Sequence, residues 1–238
     1  MAPHRPARKG VALDQTSADT KTRILDAAEG LFMEHGFEAT SLRSLTSSAG
    51  VNLAAVNYHF GSKEELFQAV LTRRLDPMNK ERIELLDKLE REAGAKPISC
   101  ERILFAMLIP ALRLARDEER GGKHFLRLVG RAYADPAPFI RHFLSEQYAE
   151  MIGRYKEAFH KALPHLSRQE LTWRLHFVMG ALSYTLLGAD LLKLFDQVTP
   201  GSRDNDELLL QRLAPFLVAG LKAPALGNVP RLELVSGD

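Results

Sequence analysis

Cysteine is almost absent. Cys100 is the single one among 238 residues, which excludes an intrachain disulfide framework and leads us to expect a reducing, cytoplasmic setting. No sign of charge dominates: 32 basic side chains face 30 acidic ones, for a net +2. Charge therefore names no partner by itself. Long apolar runs are missing. The longest, Ile103 to Leu112, is far short of the ~20 residues that cross a bilayer, so no membrane partner is expected. The opening MAPHRPARKG is basic but carries no apolar h-region and does not read as a secretory signal. No stretch alternates at period two long enough for a strand, and there is no internal repeat.

Catalytic and ligating signatures are missing too. There is no G-x-S-x-G elbow, no G-x-x-x-x-G-K-[ST] loop, no H-E-x-x-H and no cysteine pair, so neither an enzyme nor a cofactor is expected. The eight histidines are scattered. His160 with His165, or His142 with Glu146, lack metal-ligand spacing. Cys100 near a helix start suits a small buried residue, or a thiol of lowered pKa.

What is present is helix. Hydrophobic residues make up 45% and charged residues 26% of the chain, an ordinary globular profile. The length allows one domain or two small ones. Residues 1–18, with Pro3, Arg5, Pro6, Arg8, Lys9 and Gly10, read as a disordered basic arm. From Thr20, Ile24, Ala27, Ala28, Leu31 and Phe32 recur as a helical stripe, capped by Asp19 and ended at Gly36. A second helix is expected from Thr40 or Ser41 to Ser48, and a short third from Leu53 to His59 behind the N-cap Asn52. Ser62-Lys63-Glu64-Glu65 is a capping box for a fourth helix, which Pro77 should kink or break. Later helices are expected over 99–116, 123–134, 138–163, 168–195 and 204–222, with a loose tail over 224–238. The expectation is an all-α protein of about nine helices.

Two helices joined by the Ala49-Gly50-Val51 turn form a helix-turn-helix, whose second helix can enter the DNA major groove. At its end, Asn57, Tyr58, His59 and, past the turn, Lys63 carry donors suited to phosphate oxygens. Residues 1–66 hold seven basic and eight acidic side chains, so a DNA-binding surface requires the two signs to be segregated.

The ordered set Ile24–Phe32, Gly36-Phe37-x-x-Thr40-Ser41, Ala49-Gly50-Val51-Asn52, Tyr58-His59-Phe60 and Ser62-Lys63-Glu64-Glu65-Leu66 resembles the DNA-binding domain of the TetR family of bacterial transcriptional repressors. The resemblance covers residues 20–71. It implies an N-terminal three-helix DNA-binding domain over 19–66. It also implies a C-terminal helical bundle over 67–223 that binds an effector and forms a homodimer on a palindromic, double-stranded operator. Thr46 stands where the family usually has Ala, and Asn57 where a Tyr is common. The resemblance gives Thr40, Ser41 and Arg43 phosphate contacts, and turns Asn52, Leu53, Ala54 and Asn57 toward the bases. Tyr58, His59 and Lys63 become phosphate clamps. Ala55, Val56 and Phe60 suit core packing.

The bundle is rich in apolar residues. Phe105, Trp173 and Phe177, with Arg127 or Arg131 as a cation, suit a pocket for an acyl carboxylate or acyl-CoA. Arg113, Arg116 and Arg174 are further cations in reach, and all of these residues equally suit core or solvated surface. Residues 168–186 resemble the penultimate helix of a fatty-acid-responsive branch of the family, so the expected effector is a long-chain fatty acid or acyl-CoA. A xenobiotic effector controlling efflux or stress genes is the alternative. The helix from 171, apolar nearly all round with Gly180, Ala181, Ser183 and Gly188, is expected to pair with the last helix at a dimer interface.

Overall fold

The computed structural model describes residues 9–117, 122–134, 137–186 and 206–225. Among them ten helices follow in order: α1 (Lys9–Ala39), α2 (Leu42–Ala49), α3 (Leu53–Phe60), α4 (Lys63–Ala93), α5 (Cys100–Arg116), α6 (Gly122–Ala134), α7 (Pro138–Gln147), α8 (Ala149–Ala162), α9 (Arg168–Leu186) and α10 (Asp206–Lys222). No strand occurs among the described residues. The all-α expectation holds, but the count is ten, not nine.

The extra helix comes from a break in the segment expected to run unbroken from 138 to 163. Tyr148 leaves the helical path at φ −112°, ψ 17°. Its ring is buried, and its hydroxyl donates to Asp76 Oδ1 at 2.9 Å. One buried aromatic thus divides α7 from α8 and ties the junction to α4. Two other expectations are corrected. Helix α1 starts at Lys9, so residues 9–18 are helical instead of an irregular arm; no proline follows Pro6 in this stretch to stop the helix. Pro77 does not interrupt α4, which runs through it. Its ring is solvent-exposed. The expected ends at Phe195 and Asp204 and the 226–238 tail lie outside the described residues.

The local signals did their work. Gly36 sits at φ 81°, a kink that redirects the end of α1. Ser62 accepts from Glu65 N–H while Glu65 accepts from Ser62 N–H, completing the box that opens α4.

Two apolar clusters hold the chain together. The first joins Ile24, Phe32, Leu45, Val56 and Phe60 of α1–α3 to Leu66, Phe67, Val70 and Leu71 of α4, and continues into Phe125, Leu128 and Ile140 of α6 and α7. The second gathers Leu86, Ile103, Leu104, Tyr155, Phe159, Leu171, Val178, Leu217 and Leu221 from α4, α5, α8, α9 and α10. The core therefore does not stop at residue 66, and α4 belongs to both halves. An ion cluster seals the α1–α4 seam. Glu29 is buried and accepts from Arg74 Nε at 2.7 Å and from Arg73 Nη1 at 3.2 Å, while Arg73 also reaches Asp26.

Candidate nucleic-acid interface

Helix α3 is short because both its ends are built to stop it. Asn52 Oδ1 accepts from Ala55 N–H at 2.9 Å, and Gly61 at φ 75° terminates it. It is set against α2 by Gly50, whose φ of 61° and ψ of 41° turn the chain, with Val51 N–H donating to Thr46 O at 3.0 Å. Val56 and Phe60 face inward and are buried, and Ala55 packs beside them. That leaves Leu53, Ala54, Asn57 and Tyr58 exposed. The spacing i, i+1, i+4, i+5 makes them one outward stripe. Leu53 is 48% and Tyr58 82% exposed, high values for large side chains in a structured helix. The stripe offers two apolar contacts and two polar groups, Asn57 and Tyr58, within the width of a helix that a major groove accepts.

Around it stand the other candidates. Ser41 caps α2, accepting from Ser44 N–H at 3.0 Å, and Arg43 in the first turn is exposed. His59 is half-buried, its ring 5.1 Å from that of Tyr58. Lys63 opens α4, its Nζ 4.3 Å from the centre of the Phe37 ring. Asn52 keeps its amide nitrogen as a donor, since its oxygen is committed to the cap. Thr40 is corrected. It is 1% exposed, and its hydroxyl donates to Gly36 O at 2.7 Å and contacts Leu31 O at 3.2 Å. It fastens the end of α1 and has no side-chain surface to offer DNA. Lys21 was not anticipated. Its Nζ lies 5.8 Å from the Phe60 ring, a second ammonium near the end of α3. No local motif marks it, because the pairing runs between helices.

The expected apolar effector residues are all exposed in the single chain. Phe105 is 46%, Trp173 55% and Phe177 64% exposed. Trp173 and Phe177 stack on each other along α9, with ring centres 6.1 Å apart. Arg127 is exposed, and the side chain of Arg131 lies outside the description. Arg174 is buried and spent: it holds Glu170 at 2.8 Å and the carbonyls of Leu221 and Pro224 at 3.0 and 2.8 Å, closing the end of α10. A cavity of about 60 Å³ lies between Lys156, His160, Arg168, Leu171 and Thr172, room for about two waters and not for an acyl chain. Burial pushes the Cys100 thiol up to about 11, with Glu101 adding to the shift, so it is no activated nucleophile. No group of three or more metal-ligating side chains occurs among the described residues, and no described helix is long and apolar enough to cross a membrane.

Residues 24–70 match the family described as bacterial regulatory proteins, tetR family, and residues 106–220 match the tetracyclin repressor-like C-terminal domain. The chain belongs to the TetR family. It is a transcriptional repressor of that type and not an enzyme. It is similar to the HTH-type transcriptional repressor BepR of Brucella suis, 28% identical over 223 residues, which covers 90% of this chain and 97% of BepR. It is also similar to the HTH-type transcriptional regulator TtgR of Pseudomonas putida, 31% identical over 100 residues, which covers 42% of this chain and 46% of TtgR. Among solved structures, the SmeT–triclosan complex superposes with a TM-score of 0.55 at 20% identity, covering 89% of this chain and 98% of that one. AmtR of Mycobacterium smegmatis gives 0.52 at 18%, covering 94% and 92%. These structures share the fold.

Proposed function

We propose that this TetR-family repressor binds a two-fold operator as a homodimer, with one α3 in each of two major-groove half-sites. The observation that carries this reading is the outward stripe of Leu53, Ala54, Asn57 and Tyr58 on a helix whose opposite side is locked into the core. Asn57 reads a base edge, and Leu53 and Ala54 meet thymine methyls. Ser41, Arg43, Tyr58, His59 and Lys63 hold backbone phosphates. Half-sites then lie ~34–36 Å apart, or a multiple of that.

The test is binding to the DNA upstream of the protein's own coding sequence, with footprinting across a range of salt. Lys63→Ala is expected to weaken operator and random DNA alike and to lower the log–log salt slope by ~1. Asn57→Ala is expected to cost ~1–3 kcal/mol at one operator position and to leave random-DNA binding unchanged. Equal losses on both DNAs for Asn57→Ala remove it as a reader.

The repressor's second ligand, on this reading, is a small apolar molecule. Support for an acyl chain is the Phe-, Leu- and Met-rich make-up of the bundle. The second reading is a flat aromatic effector, and SmeT, which shares the fold, has been solved with triclosan. Titrating the operator complex with acyl chains of rising length separates them. Release that improves with length and then levels supports the acyl reading. Release by triclosan with none by any acyl chain replaces it.

A further inference from the structure

Phe37 follows directly on the kink at Gly36, which turns its ring back toward the body of the protein. Three things meet there. The ring of Phe67 on α4 lies 5.1 Å away and that of Phe139 on α7 lies 4.9 Å away. The ammonium of Lys63 sits over the Phe37 ring at 4.3 Å, well inside the range of a cation–π contact. A lysine on four flexible carbons carries much rotamer freedom, and a ring beneath it restricts where the charge is presented. Phe139 is in the first turn of α7, and α7 ends at Tyr148, whose hydroxyl is bonded to Asp76 of α4. A residue of the C-terminal bundle thus touches the ring that carries an ammonium of the DNA-binding half.

We propose that Phe37 is a positioning residue for Lys63, presenting its ammonium to the DNA backbone, and that Phe139 sets the Phe37 ring, so that the packing of α7 tunes affinity for DNA. The proposal rests on the reading that Lys63 meets a phosphate, and it adds the route by which the bundle reaches that contact. The ring acts through Lys63 alone, so its effect belongs to the electrostatic, sequence-independent part of binding. It changes affinity for operator and random DNA together.

The experiment uses the full chain and a double-mutant cycle. Phe37→Leu is expected to weaken DNA binding roughly two- to fivefold, Phe37→Tyr to retain it, and both to have no effect once Lys63→Gln is present. Phe139→Leu, further from the DNA, is expected to weaken binding in the Lys63 background only. A readout without DNA runs alongside: the NMR signal of the Lys63 ε-CH₂, shifted upfield by the ring in the parent protein. It is expected to lose that shift in Phe37→Leu and to move in Phe139→Leu. An equal loss of affinity with and without Lys63 overturns the positioning role, as does a lysine signal indifferent to both rings. If the parent protein fails to bind its upstream DNA, the phosphate reading of Lys63 falls with the proposed function. The lysine signal then decides the Phe139–Phe37–Lys63 contact by itself: movement supports it, and no movement overturns it.

Discussion

Replacing Glu29 by alanine is expected to destabilise the protein by about 3 kcal/mol, the lower part of the range for breaking a buried ion pair. The side chain of Glu29 is 5% exposed and holds Arg74, itself 16% exposed, and Arg73, at 32%. Removing the carboxylate leaves two guanidinium groups facing each other at the seam between α1 and α4, one of them well buried. The loss stays at the low end of that range because Arg73 retains Asp26 and is about a third exposed. For a chain of this size the loss lowers Tm by roughly 6–12 °C, read by thermal unfolding. Asp26→Asn is the contrast. Its carboxylate is 56% exposed, and the loss stays under ~1 kcal/mol. Equal, small shifts for the two variants make the seam an ordinary surface ion pair. Replacing Glu29, Arg73 and Arg74 together with apolar residues of similar volume is expected to recover most of the stability, because no charge is then stranded.

Glu29 also shows where sequence reading ran out. In the sequence it is one more acid on a charged helix, and nothing local separates it from Glu34 or Glu38. Its burial depends on Arg73 and Arg74, more than forty residues away. The features that were legible are those whose physics is local. Asn52, Ser62 with Glu65, Gly36 and Gly50 each act within four residues, and each is found capping or turning where expected. The base-facing set Asn52, Leu53, Ala54 and Asn57 came from the family resemblance alone, and all four side chains are exposed. The phosphate contact that the resemblance gives Thr40 does not hold, because the kink at Gly36 folds its hydroxyl onto the end of α1. Tyr148 was missed as a helix break because its reason is a bond to Asp76 across the bundle. The apolar richness of α9 was legible, but the direction each residue faces depends on which neighbours α9 meets.

That direction leads to the other large effect. On α9, Trp173, Phe177 and Tyr184 are 55%, 64% and 46% exposed, and on α10 Phe216 is 71% exposed. Gly180 is exposed between Phe177 and Tyr184, with nothing within 4 Å of where a Cβ would stand. The spacing 173, 177, 180, 184 is one helical stripe, with large residues flanking a position where a second backbone can approach closely. Contiguous exposed aromatics on a helix of this kind suit the interface of the proposed homodimer. A two-fold axis presents each residue twice, so a substitution there is doubled in its effect. Phe177→Glu is therefore expected to weaken the proposed dimer by about 4 kcal/mol, roughly a thousandfold in dissociation constant, from two lost aromatic anchors and two unpaired carboxylates. The single chain has no reason to unfold, because Phe177 lies mostly in water within it. Sedimentation should show a monomer at micromolar concentration with an unchanged helical circular-dichroism spectrum. Operator affinity should fall with it, since the two half-sites are no longer held by one particle. Ile152→Glu, at an exposed apolar position on α8, serves as the control and should leave the dimer intact. A Phe177→Glu protein that stays dimeric moves the interface off α9, and the exposed stack of Trp173 and Phe177 then remains available to a small aromatic ligand.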